Sequence, residues 1–253
     1  VLETEIKLNS KYEFSNALHF FNGLVFNEIG IVNTTSVNAP TFSKIEKDVL
    51  LKSALFSEIE YRKKNTYARF GFRANYFHKF NKFIIEPRIN IRQELNAEIS
   101  AKLEGEFKNQ TTAQKIDFED NFLGIEKRRW ILSDEENTPI IKSKQVSFGF
   151  DYSKNKLYFD ITTFYKKVAG ITAANQGFYN NIQTLNSISN YQVKGVEFIV
   201  NKQTEKISTW FSYTYAVNDY MFDVFNPQIF PNNLDISHSL NTALDYSFNN
   251  GLK

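Results

Sequence analysis

Three histidines, His19, His78 and His238, are the obvious candidates for acid–base or metal chemistry in this sequence. None has another histidine three or four residues away, so no helical zinc motif exists. Cysteine is absent, which removes thiolate ligands, disulfides and a thiol nucleophile. Ser237, His238 and Ser239 set two hydroxyls beside an imidazole. A catalytic serine takes its base from across space, and adjacent residues of a strand point to opposite faces. Polar residues at the start of a strand are therefore the preferred reading. No catalytic residue, metal site or cofactor is expected, and the chain reads as a non-enzyme.

The charged residues have a different kind of order. Glu58, Glu60, Arg62, Arg69, Arg73, Glu86, Arg88, Arg92, Glu98, Lys102, Glu104 and Glu106 alternate with apolar or small neighbours. A period of two places one set on each face of a strand. If the apolar set faces lipid, the charges face inward. An Arg or Lys on a lipid face near the bilayer midplane costs roughly 2–4 kcal/mol.

The elements that must carry these faces are long strands. In 207–218, Ile207, Thr209, Phe211, Tyr213, Tyr215 and Val217 share one face, and Ser208, Ser212, Thr214, Ala216 and Asn218 share the other. Trp210 interrupts the polar set. The segment is about twice the usual soluble strand of five or six residues, whereas a strand crossing a bilayer at a tilt needs roughly nine to eleven. The unit repeats. Strands are predicted at 1–14, 18–32, 49–62, 66–77, 83–93, 99–107, 143–152, 156–168, 192–201, 207–218 and 237–248. The segment 18–32 is apolar on both faces, so its register is ambiguous.

Turns of a few residues fall near 15–17, 63–65, 94–96, 153–155, 202–206 and 249–251. The connections between them, near 33–48, 110–142, 169–191 and 221–236, are long and predicted irregular; only 78–82 is short. Pro40 and the polarity of 33–48 argue for a loop there. An up-and-down meander then has short turns at one end and long loops at the other. Transmembrane barrels show this asymmetry, and loops above about fifteen residues are uncommon in compact soluble domains. The expected fold is all-β, an antiparallel up-and-down transmembrane β-barrel. Eleven strands would leave two open edges, which lipid cannot satisfy, so residues 1–253 are expected to form part of a larger barrel.

Composition agrees without deciding. Mean hydropathy is −0.40, and no apolar run approaches the eighteen residues of a membrane helix. Alternating barrel strands average out to such values. Phe, Tyr and Trp make up 16% of residues, as aromatic girdles require. A formal charge of +2 with both signs interspersed argues against nucleic acid as a partner. The first residue is Val1 and no signal peptide precedes it, which suggests a piece of a longer precursor.

Several stretches carry a family resemblance: FSEIEYRKKNTYARFGFRANYF at 56–77, FIIEPRINIRQEL at 83–95, FLGIEKRRWILSDEENTPIIKSKQVSFGF at 122–150, FYKKVAGIT at 164–172, YQVKGVEFIVNK at 191–202, STWFSYTYAVNDYMF at 208–222 and FPNNLDISHSLNTALDY at 230–246. In this order they resemble the barrel region of TonB-dependent outer-membrane receptors and transporters of the Bacteroidetes type. The resemblance implies a barrel of about twenty-two strands in the Gram-negative outer membrane. It also implies a plug domain and an inner-membrane energy-coupling complex as partners, the plug and the remaining strands lying outside this chain. It leaves open a surface lipoprotein as a further partner. The implied function is uptake of a scarce nutrient: a metal chelate, vitamin, sugar or peptide. A passive porin-like channel and a soluble β-sandwich binding module are the alternatives.

Under that resemblance Glu86, Arg88, Arg92, Glu98, Lys102, Glu104 and Trp210 are expected to face the plug. Ligand contacts are expected in the long loops, from Phe122, Arg128, Arg129, Trp130, Phe178, Tyr179, Asn180, Phe222, Phe225 and Phe230. Aromatic and Arg side chains dominate recognition hot spots. Loop packing or the outer aromatic girdle is the competing role for these residues.

Overall fold

The computed structural model describes residues 1–118, 126–134, 136–177 and 187–248. The chain is a single antiparallel meander with one hairpin folded out of it. Its strands are β1 (Leu2–Ser15), β2 (Leu18–Asn38), β3 (Thr41–Lys63), β4 (Thr66–Phe77), β5 (Lys82–Glu94) and β6 (Ile99–Gln110). After the separate pair β7 (Thr112–Phe118) and β8 (Glu126–Leu132), the meander resumes. It continues through β9 (Ile141–Lys154), β10 (Leu157–Thr172), β11 (Ile188–Gln203) and β12 (Ile207–Met221). A short β13 (Ile229–Pro231) and β14 (His238–Tyr246) both pair with β12. β6 pairs directly with β9, so the β7–β8 excursion leaves the sheet order unbroken.

The alternation expected from the sequence fixes the faces. Register places Ile6 beside Phe26, Leu8 beside Leu24, Phe70 beside Ile59 and Ile89, and Phe148 beside Leu103 and Thr163. This apolar face is exposed: Ile6 and Leu8 are 69% and 68% accessible. The polar face is the more enclosed one, with Asn27, Asn75, Glu86, Asp151 and Asp160 all buried. A soluble protein places its apolar side chains inside. Here the order is inverted, as it must be where lipid is the outer solvent.

Short turns gather at one end. Thr204 closes the β11–β12 turn by bonding Ile207 through both backbone and hydroxyl. Asn96 Oδ1 accepts from the Glu98 and Ile99 amides in the β5–β6 turn.

The other end differs from the sequence reading in three places. Residues 33–48, expected as a loop, are strand: β2 and β3 pair without interruption to Asn38 and Thr41, and only the Ala39–Pro40 tip turns. β3 pairs with β4 only from Lys52 onward, so the upper part is a two-stranded ribbon standing clear of the sheet. Beyond the base, where β8 touches it, both its faces meet water, which is why its sequence is polar although its backbone is extended. The stretch 110–142, expected as irregular, contains the β7–β8 hairpin. Finally, β10 runs to Thr172 and β11 begins at Ile188, shortening the connection expected at 169–191.

Two small cores lie under this end. Ile29, Ile31, Leu50, Phe77, Leu132 and Ile140 form one; Val168, Ile171, Ala173, Tyr220 and Phe222 form the other. They explain why 18–32 is apolar on both faces: its outward set meets lipid, and Ile29 and Ile31 cover the first core. A bulge builds the second. Gly170 sits at φ +87°, and the register shifts between Ala169 and Ile171. That extra residue turns Ile171 to the enclosed face, opposite Ser189, where it is buried.

Candidate functional site

The enclosed face carries a ladder of polar contacts across neighbouring strands. Arg69 of β4 binds Glu58 of β3 through both Nε and Nη2. His19 of β2 lies 3.8 Å from Glu60, which also accepts from the Tyr67 hydroxyl at 3.3 Å. Asn90 of β5 donates to Glu104 of β6 at 2.9 Å, and Gln145 of β9 to Glu106 at 2.6 Å. Glu86 accepts both the backbone and side-chain N–H of Asn109, at 2.7 and 2.6 Å.

The strongest element spans four strands. Asp151 and Asp160 are direct partners across β9 and β10, and both are buried. Arg92 of β5 reaches Asp151 at 2.8 Å, and Lys102 of β6 reaches Asp160 at 2.5 Å. Thr162 donates to Asp160 at 2.8 Å, and Ser100 lies 3.3 Å from Arg92. Buried charges persist only when paired and hydrogen-bonded. The two aspartates were absent from the sequence-derived set. Their signal was present, since each alternates with aromatic or aliphatic neighbours: Phe150 and Tyr152, Phe159 and Ile161.

Of the expected inward residues, Glu86, Arg88, Arg92, Lys102, Glu104 and Trp210 all lie on this face by register. Trp210 stands opposite Asn201 and Ala243. Glu98 is the exception. It belongs to the β5–β6 turn, where its carboxylate pairs with Lys154. Arg88 makes no ion pair among the described residues and borders a groove of 880 Å³ with Lys102, Glu104, Asp160, Thr162 and Glu197.

The expected loop residues separate into different environments. Phe122, Phe178, Tyr179 and Asn180 lie outside the described residues. Phe222 is fully buried against Tyr220 and Phe230, with Phe225 packed beside it. That cluster holds the connection after β12, so Phe222 presents no surface to a ligand. Arg128, Arg129 and Trp130 are on β8. Trp130 is 43% exposed, and its carbonyl accepts from Asn33 Nδ2 at 3.0 Å. Arg129 lies 3.5 Å from Glu46 of the β2–β3 ribbon.

β8 thus leans on the ribbon, while β7 packs on the turn Ala174–Gln176 after β10. The hairpin crosses the long-loop end of the enclosed face and roofs a cavity of 500 Å³. Asn33, Glu46, Lys115, Arg129, Trp130, Asn137, Thr138 and Asn175 line it. With Lys47, Asp48 and Asp134 also in its wall its charges balance, and its neutral donors are numerous, so it can hold a polar ligand against one aromatic ring.

The histidines hold no shared site. His78 Nε2 pairs with Ser53 Oγ at 2.9 Å, and His238 Nδ1 with the Tyr213 hydroxyl at 2.8 Å. Ser237 donates to Asp235 at 2.9 Å, so it is not coupled to His238. Among the described residues no group of His, Asp and Glu is placed to hold a metal.

No protein-family model and no curated protein matches the sequence. Solved structures do match. The FrpB iron transporter of Neisseria meningitidis (F5-1 variant) aligns over 98% of this chain and 41% of its own, with TM-score 0.70 and 11% identity. The siderophore receptor PirA of Acinetobacter baumannii aligns over 96% and 40%, with TM-score 0.65 and 15% identity. The ferric yersiniabactin uptake receptor FyuA of Yersinia pestis aligns over 96% and 39%, with TM-score 0.66 and 10% identity. The fold is that of an outer-membrane β-barrel wall. The chain spans about two fifths of the length of these three structures.

Against that fold the faces acquire meaning. The exposed apolar face is the lipid face, the polar ladder lines the barrel interior, and the two small cores seat the loops at one mouth.

Proposed function

We propose that this chain is part of the barrel of a TonB-dependent outer-membrane receptor, of the type its motif order resembles, which imports a scarce nutrient with inner-membrane energy. The observation that carries the reading is the enclosed face. It carries ion pairs from β2 to β10, is roofed at one end by β7–β8, and aligns with the walls of iron and siderophore receptors. β1 and β14 each have one edge without a strand partner among the described residues. Lipid cannot satisfy such edges, which supports further strands in the complete barrel. The interior set around Arg88, with Arg92, Lys102 and Trp210, would contact a plug domain. The cavity beneath Trp130 would receive the cargo, for which ferric chelates are the first class to test, by analogy with the structural neighbours.

The test is uptake of radiolabelled ferric siderophores by cells carrying or lacking the intact protein, with and without a protonophore. Uptake that requires the protein and stops with the protonophore supports the proposal. Uptake that continues in its presence would make the protein a passive channel.

A further inference from the structure

The outward face is mostly apolar, with Glu28 of β2 an isolated acid on it opposite Thr4 and Leu51, and a basic cluster lies on it at the long-loop end of β9, β10 and β11. On β9, Val146, Phe148, Phe150 and Tyr152 point outward, and the next two outward residues toward the long-loop end are Lys144 and Lys142. On β10, Phe159, Ile161, Thr163 and Tyr165 are followed by Lys167; on β11, Phe198 and Val196 are followed by Lys194. All four lysines are exposed. Lys144 and Lys167 stand directly opposite one another in the β9–β10 ladder. Like charges so placed repel, and no carboxylate answers them. None of the four has an ion pair among the described residues; Lys144 lies over the Phe107 ring at 4.9 Å. The nearest outward acid in the register is Asp219 of β12, opposite Gln192.

The position of the cluster matters as much as its sign. From Leu157 to Tyr165 is roughly 26 Å of strand, or roughly 20 Å of height at a tilt of about 40°, near the apolar band of about 25 Å in such barrels. The lysines therefore begin where the hydrocarbon ends, at headgroup level. Clustered lysines at that level attract anionic headgroups. The aromatic and branched residues below offer a wall for acyl chains.

We propose that Lys142, Lys144, Lys167 and Lys194 form a docking site for a phosphorylated lipid of the leaflet on the long-loop side. The phosphates bridge the lysines, and the chains lie against Tyr165, Phe148 and Phe198. The site depends on the membrane placement above and is independent of any cargo.

The experiment measures binding of bis-phosphorylated lipid A to the intact protein in mild detergent, for wild type and for K142Q/K144Q/K167Q/K194Q. Controls are K166Q, which changes the opposite face, and competition by inorganic phosphate. Heat-modifiable migration on gels verifies that each protein is a folded barrel. The quadruple variant is expected to bind about tenfold more weakly or worse, K166Q like wild type, and phosphate is expected not to displace the lipid. A folded quadruple variant that binds as wild type overturns the site. Full displacement by phosphate overturns it too, because it would leave a free-anion site. Absence of a folded, detergent-requiring barrel in the wild type would instead count against the membrane reading itself.

Discussion

Asp151 and Asp160 face each other across two adjacent strands with both carboxylates buried, and each is held by a cation from a different strand. Arg92 and Lys102 thereby join β5 and β6 to β9 and β10 beyond the backbone ladder. Removing one partner leaves a buried charge uncompensated, which costs about 3–5 kcal/mol in an enclosed site. Arg92 is half exposed, so screening lowers its share. Arg92→Ala is expected to destabilise the barrel by about 1–2 kcal/mol, and Arg92→Ala with Asp151→Ala to recover part of that. Guanidinium midpoints in detergent measure both. Equal midpoints for wild type and Arg92→Ala would mean that the pair contributes nothing.

Phe148 and Ser147 are neighbours in sequence and lie on opposite faces. Phe148→Arg places a charge in lipid near mid-strand and should cost about 2–4 kcal/mol. Ser147→Arg points into the polar groove and should cost well under that. Insertion into vesicles and unfolding midpoints report the difference. If the two variants behave alike, the assignment of faces is wrong.

Phe222 and Trp130 are both loop-end aromatics with opposite burial. Phe222→Ala opens a cavity in a packed cluster, and such truncations cost about 3–5 kcal/mol. Limited proteolysis should then cut the 221–238 connection faster. Trp130→Ala removes a half-exposed ring outside the packed clusters and should change stability by well under the Phe222 effect, about 1 kcal/mol or less, while weakening cargo binding at the cavity it lines. Unchanged cargo affinity would take Trp130 out of the site.

Glu46 ties the β2–β3 ribbon to β8. The Lys44 ammonium, hydrogen-bonded to it at 2.6 Å, holds its carboxyl below the usual glutamate range, and Arg129 adds to this. A folded value below the unfolded one means the contact helps at neutral pH and is lost only as pH falls through the lowered value. Protease access to the β7–β8 hairpin should stay constant from pH 7 to about 5 and rise below about 4. In Glu46→Gln it should already be raised at pH 7 and vary less with pH.

The sequence alone determined the alternation and the ends. Period two assigned Phe70 and Ile89 to one face and Arg69 and Arg88 to the other, because a strand has only two faces. It also placed Trp210 among the polar set, and the short turns at one end. It misread residues 33–48 because polarity there reflects water on both sides of a ribbon, which a local pattern cannot separate from a loop. It could not say that Arg92 reaches past its own strand pair to Asp151, since parity gives a face and no diagonal partner. It left Phe222 as a ligand contact, because burial of a loop aromatic depends on what folds back over it. Only the tertiary structure decided those points: the Gly170 bulge that turns Ile171 inward, and the hairpin that crosses from the ribbon to the turn after β10. Both depend on contacts between residues far apart in the chain.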